Sequence, residues 1–568
     1  MQKEWIIREH DEGAATEIAH ALEIHPITAQ IITNRGINTV KDALSYMEPS
    51  LNSIPDPFQF PDMDISVQRI AKAVKSGEKI AIFGDYDVDG ITATALLYLF
   101  FKEIGCDPYT ILPDRDGGYG LTDESVKKIH KSGSKLLITV DNGIRAIDAI
   151  KLAGDLGIDT IITDHHEIGE EVPSALAIIN PHRLDKEHDF RNLSGCGVAF
   201  ILLLALRKYM RDEGLFKDAP PNLKRHLDLV ALGTIADVVS LQGVNRTLVK
   251  FGIAEIAFTR KPGIRALIEI SGTRQEDINP GSIAFRLAPR LNAAGRMGAP
   301  DEALNLLISE DYNDAVNRAK GLDLINRKRQ KIEQKILNEM QLRLKKDTKL
   351  SDKNTIVLHS DGWHLGIIGI TAAKITEQNL KPTIIISLDS NPPRGSARSI
   401  EGINLMDALS QCEDLLVSYG GHAMAAGLSI KPDRIEEFIE RFDDACRKIK
   451  PSTLVQKIKI DACVEPADIT ERLVEEIELL NPFGIGNPEP LLVMNGVSIL
   501  DRRVVGDNHL KMTIGDGKMN YDSIAFGMAK SIDENLGTVQ AAFVPKFNHW
   551  KGRRSIQLKI KDIQKCTE

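Results

Sequence analysis

The sequence predicts an α/β protein: a parallel-sheet lobe and a smaller α/β lobe joined by a long helix, followed by a C-terminal β-barrel. Three observations carry this. Between about residue 65 and about residue 250, short apolar runs (80–83, 136–140, 160–162 and 177–179) alternate with helical patterns, the signature of βαβ units on a parallel sheet. From about 313 to 346, a charged stretch without proline places Ile325, Ile332, Ile336 and Met340 on one helical face. Beyond about 455 the pattern changes to short strands.

The 568 residues leave room for two to four domains at ~150 residues each. A net charge of −9 argues against an all-over basic coat, though a local basic groove remains compatible with it. None of the six cysteines forms a C-x-x-C pair, so no zinc knuckle or disulfide scaffold is expected, and a reducing cytoplasm fits. Residues 1–13 carry charges and no apolar signal core. The longest uncharged apolar stretch, 91–101, is too short for the ~20 residues that span a bilayer.

Residues 1–60 read as short helices ending at Pro55, Pro57 and Pro61. The second α/β region, about 353–450, carries strands at 355–358 and 383–387. Strands at 455–460, 491–500, 509–514, 539–543 and 555–560, interrupted by a helix at 469–480, suggest a small barrel of OB type.

The run "KIAIFGDYDVDG" ends in Asp85, Asp87 and Asp89, followed by Gly90. It imitates the start of an EF-hand loop, but position twelve is Leu96 rather than a bidentate Glu, and a strand pattern precedes it. As a plain strand-to-helix turn it needs one Asp to cap the helix. Three would repel one another, a cost that a divalent cation relieves. Partners occur at matching positions. "LLITVDNG" ends an apolar run in Asp141, and "TIITDHHEIG" ends another in Asp164, His165 and His166. "LDLVALGTIADVV" places Asp237 after a further run, with Asp228 inside it. The carboxyl ends of parallel strands share one edge, so Asp87, Asp89, Asp141, His165 and Asp237 are expected to converge. Carboxylates with imidazole and no thiolate suit Mn²⁺ or Mg²⁺. Two such ions bridged by an Asp would clamp an in-line displacement at phosphorus and acidify a water. His166 orients a phosphate oxygen, donates a proton, or packs the turn.

These residues resemble the DHH phosphoesterase superfamily and, more closely, its RecJ-type single-strand exonucleases. The likeness spans nearly the whole chain: "GDYDVDG" (84–90), "DNG" (141–143), "DHH" (164–166), "GCGVAF" (195–200), "LGTIADVV" (232–239) and "RLAPRLNAAGRMG" (286–298). "GWHLGIIGI" (362–370), "GSARS" (395–399) and "GGHAMAAG" (420–427) look like a DHHA1 domain; "NPFGIGNPEP" (481–490) and "KGRRSIQLKIKDI" (551–563) look like the RecJ barrel. The implied domains are an N-terminal helical segment (1–60), a DHH domain (61–310), the connecting helix (311–348), a DHHA1 domain (349–452) and an OB-like domain (453–568). Leu365 and Ser240 stand where the family commonly has Pro, and Val244 where Glu is frequent; none of these removes a ligand.

The resemblance implies a Mn²⁺- or Mg²⁺-dependent 5′→3′ exonuclease on single-stranded DNA, acting in recombination and repair. It implies Asp85, Asp87, Asp89, Asp141, His165 and Asp237 as metal ligands, with His166, Asp85 and Asp89 catalytic. Gly420, Gly421, His422, Ser396 and Arg398 are then expected to hold a terminal phosphate, with Arg115 and Arg296 reaching it from the first lobe. Trp550 and Arg553, in the cationic stretch "FNHWKGRR", are candidates for base stacking and backbone contact, whereas Phe543 reads as core. The long helix carries Arg327, Lys328, Arg329, Lys331, Lys335, Arg343, Lys345 and Lys346, either a solvated face or a strand-tracking groove. A cytoplasmic monomer is expected, with a single-strand-binding protein and a helicase as candidate partners. The alternatives are a phosphodiesterase of short oligonucleotides or cyclic dinucleotides, disfavoured by the barrel, and a non-catalytic DNA-binding scaffold, disfavoured by the intact acids.

Overall fold

The computed structural model describes residues 3–113, 120–346, 353–447, 457–530, 532, 537–550 and 552–566. Strand β1 (Glu4–Ile7), a feature that helical patterning alone did not foresee, precedes three short helices. The first large sheet contains β2 (Ile80–Phe83), β3 (Tyr109–Ile111), β4 (Leu136–Val140), β5 (Asp159–Thr163) and β6 (Ala177–Ile179). All are parallel, in the order β3-β2-β4-β5-β6. Both faces are covered, which is why these strands are continuous apolar runs and do not alternate. Ile80, Ile82, Leu136 and Ile138 face one core, under the helices Val88–Glu103 and Gly195–Asp212. Ala81, Phe83, Leu137 and Ile162 face another, under Asp123–Lys131 and Ile147–Asp155.

The connection from β2 moves to one side of the sheet, and β4 returns on the other. The crevice at the carboxyl ends of β2 and β4 is therefore the topological switch point, where α/β sheets place their ligands. The stretch around Asp237 differs from expectation. It is the helix Leu227–Ala236, not a strand, and Asp237 is its C-terminal cap. Length decides this: ten residues, nine of them buried, make a core helix, whereas the strands here have three to five.

The helix Tyr312–Lys346 is 35 residues long, about 50 Å at 1.5 Å per residue. Ala315, Ala319 and Leu322 belong to the first lobe's core; Ile336, Leu337 and Met340 belong to the second lobe's core with Trp363. It is thus a structural member of both lobes. Four of its basic residues are tied to neighbours one turn away: Arg318 to Asp314 at 2.7 Å, Arg327 to Asp323 at 2.7 Å, Arg329 to Glu333 at 2.7 Å and Arg343 to Glu339 at 2.6 Å.

The second lobe holds β7 (Ile356–Ser360), β8 (Thr383–Ser387), β9 (Arg394–Arg398), β10 (Leu416–His422) and β11 (Ala425–Ile430), in the order β10-β11-β9-β8-β7. Only β7 and β8 run parallel. Next, β12 (Lys457–Ile460) pairs in parallel with β1, and β13 (Ala462–Cys463) pairs with β14 (Leu492–Val505). The barrel proper is β14, β15 (His509–Gly515), β16 (Asn520–Ala525), β17 (Thr538–Trp550) and β18 (Arg553–Lys565). It closes through β14–β17, and only β16–β18 is parallel. No helix among the described residues is long and apolar enough to cross a membrane.

The first and last segments of the sequence share a core: Ile18, Ile31 and Ile32 pack with Leu473, Leu492 and Phe543. Arg246, on the first lobe and 2% exposed, fastens that unit in place. Its guanidinium donates to the carbonyls of Tyr46, Leu479 and Asn481, and lies 4.0 Å over the Tyr46 ring. Replacing it leaves three carbonyls without their donor at a buried junction. Arg246→Met is expected to cost about 3 kcal/mol, measured by urea unfolding. A loss below about 0.5 kcal/mol, the range of ordinary surface substitutions, would remove the junction's importance.

Candidate metal centre and anion pocket

The acidic turn is built by backbone amides. Asp87 caps the helix Val88–Glu103, its Oδ1 accepting from the Asp89 and Gly90 amides at 2.9 and 3.2 Å. Asp85 Oδ1 accepts from Tyr86 N at 2.6 Å. Asp89 is fully enclosed, and its two oxygens take the amides of Gly195 (2.5 Å) and Cys196 (3.1 Å) at the start of the helix Gly195–Asp212. A helix N-terminus presents free N–H groups and a positive dipole end, so a carboxylate sits well there. Asp141 follows β4 with a left-handed backbone, φ +61°. Its Oδ1 is buried and receives no hydrogen bond.

Small residues clear the space. A Cβ on Gly195 would lie 2.4 Å from Asp141 Oδ1, and one on Gly233 would lie 2.5 Å from Asp89 Oδ1. Gly195 of "GCGVAF" and Gly233 of "LGTIADVV" are there because carboxylates occupy the room a side chain would need.

His165 Nε2 lies 3.1 Å from Asp141 Oδ1 and 3.6 Å from Asp237 Oδ2. Donor atoms gather in three sets, each within 4.8 Å: Asp85, Asp87 and Asp141; Asp89, His165 and Asp237; Asp141, His165 and His166. All six expected ligands therefore converge, with Asp141 and His165 each common to two sets. Asp164 has another role. Its Oδ1 accepts from the His165 and His166 amides and from His166 Nδ1 at 2.7, 3.0 and 2.8 Å, and its Oδ2 takes Ile144 N at 3.0 Å. It fixes the backbone of both histidines and orients the His166 imidazole. Asp228 is likewise structural, paired with Lys261 at 2.8 Å and Thr259 at 2.7 Å.

The electrostatics follow from this crowding. Burial, then the Asp87 charge, pushes Asp89 up to about 7. Burial, then Asp89, raises Asp237 to about 9 and Asp141 well above the carboxylate range. Burial, then the charge on His166, lowers His165 to about 4, leaving it neutral and ready to coordinate. Burial opposes charge on His166, but the Asp164 hydrogen bond outweighs it and holds the imidazolium to about 9. Burial and Asp89 keep the Cys196 thiol protonated. A donorless buried carboxylate oxygen, crowded acids and a neutral imidazole with no thiolate fit Mn²⁺ or Mg²⁺.

Three family profiles match: the DHH family N-terminal domain over residues 79–234, the DHHA1 domain over 352–448 and the RecJ OB domain over 460–562. The single-stranded-DNA-specific exonuclease RecJ of Escherichia coli is 35% identical over 560 residues, covering 95% of this chain and 96% of that protein. The RecJ of Bacillus subtilis is 34% identical over 574 residues, covering 98% and 70%. The chain belongs to the RecJ family. The crystal structure of Thermus thermophilus RecJ in complex with Mn²⁺ superposes at a TM-score of 0.85 and 29% identity, covering all of this chain and 80% of that one. The Mg²⁺ complex of that RecJ superposes at 0.79.

A second polar site lies between the lobes of this RecJ-family chain. Arg296, Ser396 and Arg398 line one cavity of about 310 Å³, together with His364 and Arg394. Arg398 Nη1 lies 3.1 Å from Ser396 Oγ, and Arg296 Nη1 reaches Gly366 O at 3.4 Å across the lobe boundary. A Cβ on Gly366 would sit 2.3 Å from Arg296 O, so glycine permits this closure. Gly420, Gly421 and His422 lie outside that cavity. "GGHAMAAG" is the β10–β11 hairpin, with Gly420 opposite Gly427 and His422 opposite Ala425. His422 Nδ1 comes within 3.9 Å of Glu167, the residue after His166. Arg115 and the side chain of Trp550 fall outside the described residues. Arg553 is exposed at the start of β18, opposite Trp550. His364 and Arg394 escaped sequence reasoning. A usable signal existed in His364-x-Gly366, where the imidazole Nδ1 caps the helix Leu365–Asn379.

The raised carboxyl pKa values carry a stability consequence. Protonated acids favour the folded, metal-free protein at low pH, and this contribution fades as pH rises through about 7 to 9. Mn²⁺ cancels the repulsion, so its stabilising effect is expected to grow between pH 6 and pH 8.5. Thermal unfolding with and without Mn²⁺ measures this; an equal shift at both pH values contradicts it.

Proposed function

We propose that this chain is a divalent-metal-dependent exonuclease that removes 5′-mononucleotides from the 5′ end of single-stranded DNA, in recombination and repair. One observation supports this reading above the rest. The helix Ala288–Arg296 ends with Arg296 in the arginine-rich cavity, while its Asn292 Oδ1 accepts the Val88 amide, between Asp87 and Asp89, at 3.2 Å. A phosphate-binding cavity and the acidic centre thus share one rigid element. A pocket for a terminal phosphate at a fixed distance from the hydrolytic centre makes an end-acting enzyme.

In this reading Asp85, Asp87, Asp89, Asp141, His165 and Asp237 would hold two Mn²⁺ or Mg²⁺ ions, which would supply Lewis-acid chemistry when bound. Arg296, Ser396 and Arg398 bind the 5′ phosphate, bidentately where an arginine fork meets it. His166, its Nδ1 held by Asp164, has Nε2 to steady the scissile phosphate or protonate the leaving oxygen. Gly420, Gly421 and His422 close over the strand from the second lobe, Arg115 reaches the phosphate, and Trp550 and Arg553 contact nucleotides at the barrel. A single-strand-binding protein and a helicase would present the substrate to a cytoplasmic monomer.

The test is a 5′-phosphorylated single strand incubated with Mn²⁺, with mononucleotides followed over time. Asp141→Asn is expected to lower the rate at least about 100-fold with the fold retained. Arg398→Ala is expected to raise KM for 5′-phosphate ends more than for 5′-hydroxyl ends. A folded protein that releases no mononucleotides with either ion, or releases them from the 3′ end, would overturn the assignment.

A further inference from the structure

An apolar groove of about 510 Å³ opens beside the metal centre and has no part in the chemistry above. Its walls include Val238, Leu241, Phe285, Pro289, Phe483 and Ile485, and no charged side chain lines it. Three of these are unusually open for their type: Phe285 is 82% exposed, Val238 62% and Ile485 56%. An exposed apolar patch of this kind marks a binding surface. The groove is a built feature. Leu241 N donates to Ile485 O at 2.7 Å and Gln242 Nε2 to Gly486 O at 2.9 Å, so the 481–490 loop is fastened to the segment after Asp237. A Cβ on Gly486 would fall 2.1 Å from Ser240 Oγ, which shows how closely the two segments meet.

Its position selects an occupant. Val238 directly follows the expected ligand Asp237, in the left-handed region at φ +63° that a β-branched residue adopts only under constraint. Asn292 lines the groove and also holds the Val88 amide of the acidic turn. Pro289 and Arg296 lie on the same helix, seven residues or about 10 Å apart, with Asn292 and its contact to the acidic turn between them. A strand anchored by its 5′ phosphate at Arg296 and crossing the metal centre therefore continues into the groove. The absence of charge excludes the phosphates as the buried part, whereas aromatic and aliphatic walls suit the faces of unpaired bases.

We propose that this groove takes the bases of the second and third nucleotides of the bound strand, an inference that rests on the nuclease reading. Bases paired in a duplex cannot enter, so the groove adds to single-strand selection without reading sequence.

The experiment places one abasic nucleotide at position two, three or eight of a 5′-phosphorylated strand. Single-turnover release of the first nucleotide is measured with Mn²⁺. An abasic residue at position two or three is expected to slow release about tenfold, and at position eight to leave it unchanged. Phe285→Ala, at a side chain outside the core, is expected to slow the unmodified strand by a similar factor and to remove most of the abasic effect. In parallel, 2-aminopurine at each position reports stacking with Ca²⁺ in place of Mn²⁺. Stronger quenching at positions two and three, relieved by Phe285→Ala, supports the groove even if cleavage fails and the nuclease reading falls. Normal cleavage with no positional effect overturns the groove assignment while leaving the nuclease reading intact. Uniform quenching assigns the groove to another occupant, such as an apolar protein segment.

Discussion

Mutual repulsion among carboxylates confined at one sheet rim shapes the centre of this molecule. Asp85, Asp89 and Asp141 are each 2% exposed or less, and Asp237 is largely enclosed beside them. In water such a group would separate; here the backbone forbids it. Asp85, Asp87 and Asp89 are each partly satisfied by amides. Asp141 Oδ1 has no donor, and His165, the nearest base, is kept neutral by burial. The negative charge that remains is what a divalent cation neutralises.

That crowding sets demands on residues that never touch a ligand. Gly195 and Gly233 exist to leave volume for carboxylate oxygens. Asp164 uses one oxygen to hold two histidine amides and one imidazole. Adjacent histidines consequently take opposite protonation states, one a neutral donor and the other an imidazolium. The division comes from their surroundings: burial and the neighbouring charge lower His165, while the Asp164 hydrogen bond holds the proton on His166.

The fold converts this local chemistry into action at a strand end. The acidic cluster belongs to the first lobe and most of the arginine-lined cavity to the second, so the proposed end-directed cleavage requires a fixed separation between lobes. A single 35-residue helix contributes to both cores, and Arg296 crosses the boundary to Gly366. Arg246 fastens the barrel unit to the same lobe through three carbonyls. Rigidity is what the proposed function demands, since a cavity that drifted would lose its register with the acidic centre.

Much of this was written in the sequence. The runs ending before Asp85, Asp141 and Asp164 gave β2, β4 and β5, because a doubly covered parallel strand must be continuously apolar. That rule also gathered their acids on one edge. The polar strand β16, "NYDSIA", was missed, since it buries only Ser523 and Ala525 and shows no apolar run. Strands β9, β10 and β11 were hidden by glycine and small residues whose pairing depends on distant partners. The metal class and the family were legible from residue type and order alone. Tertiary structure alone decided that Asp237 arrives from a helix end, that Asp164 turns its oxygens to the amides of His165, His166 and Ile144, and that an apolar groove adjoins the centre. Each of these depends on which segments meet in space, and contacts between residues hundreds of positions apart leave no local pattern to read.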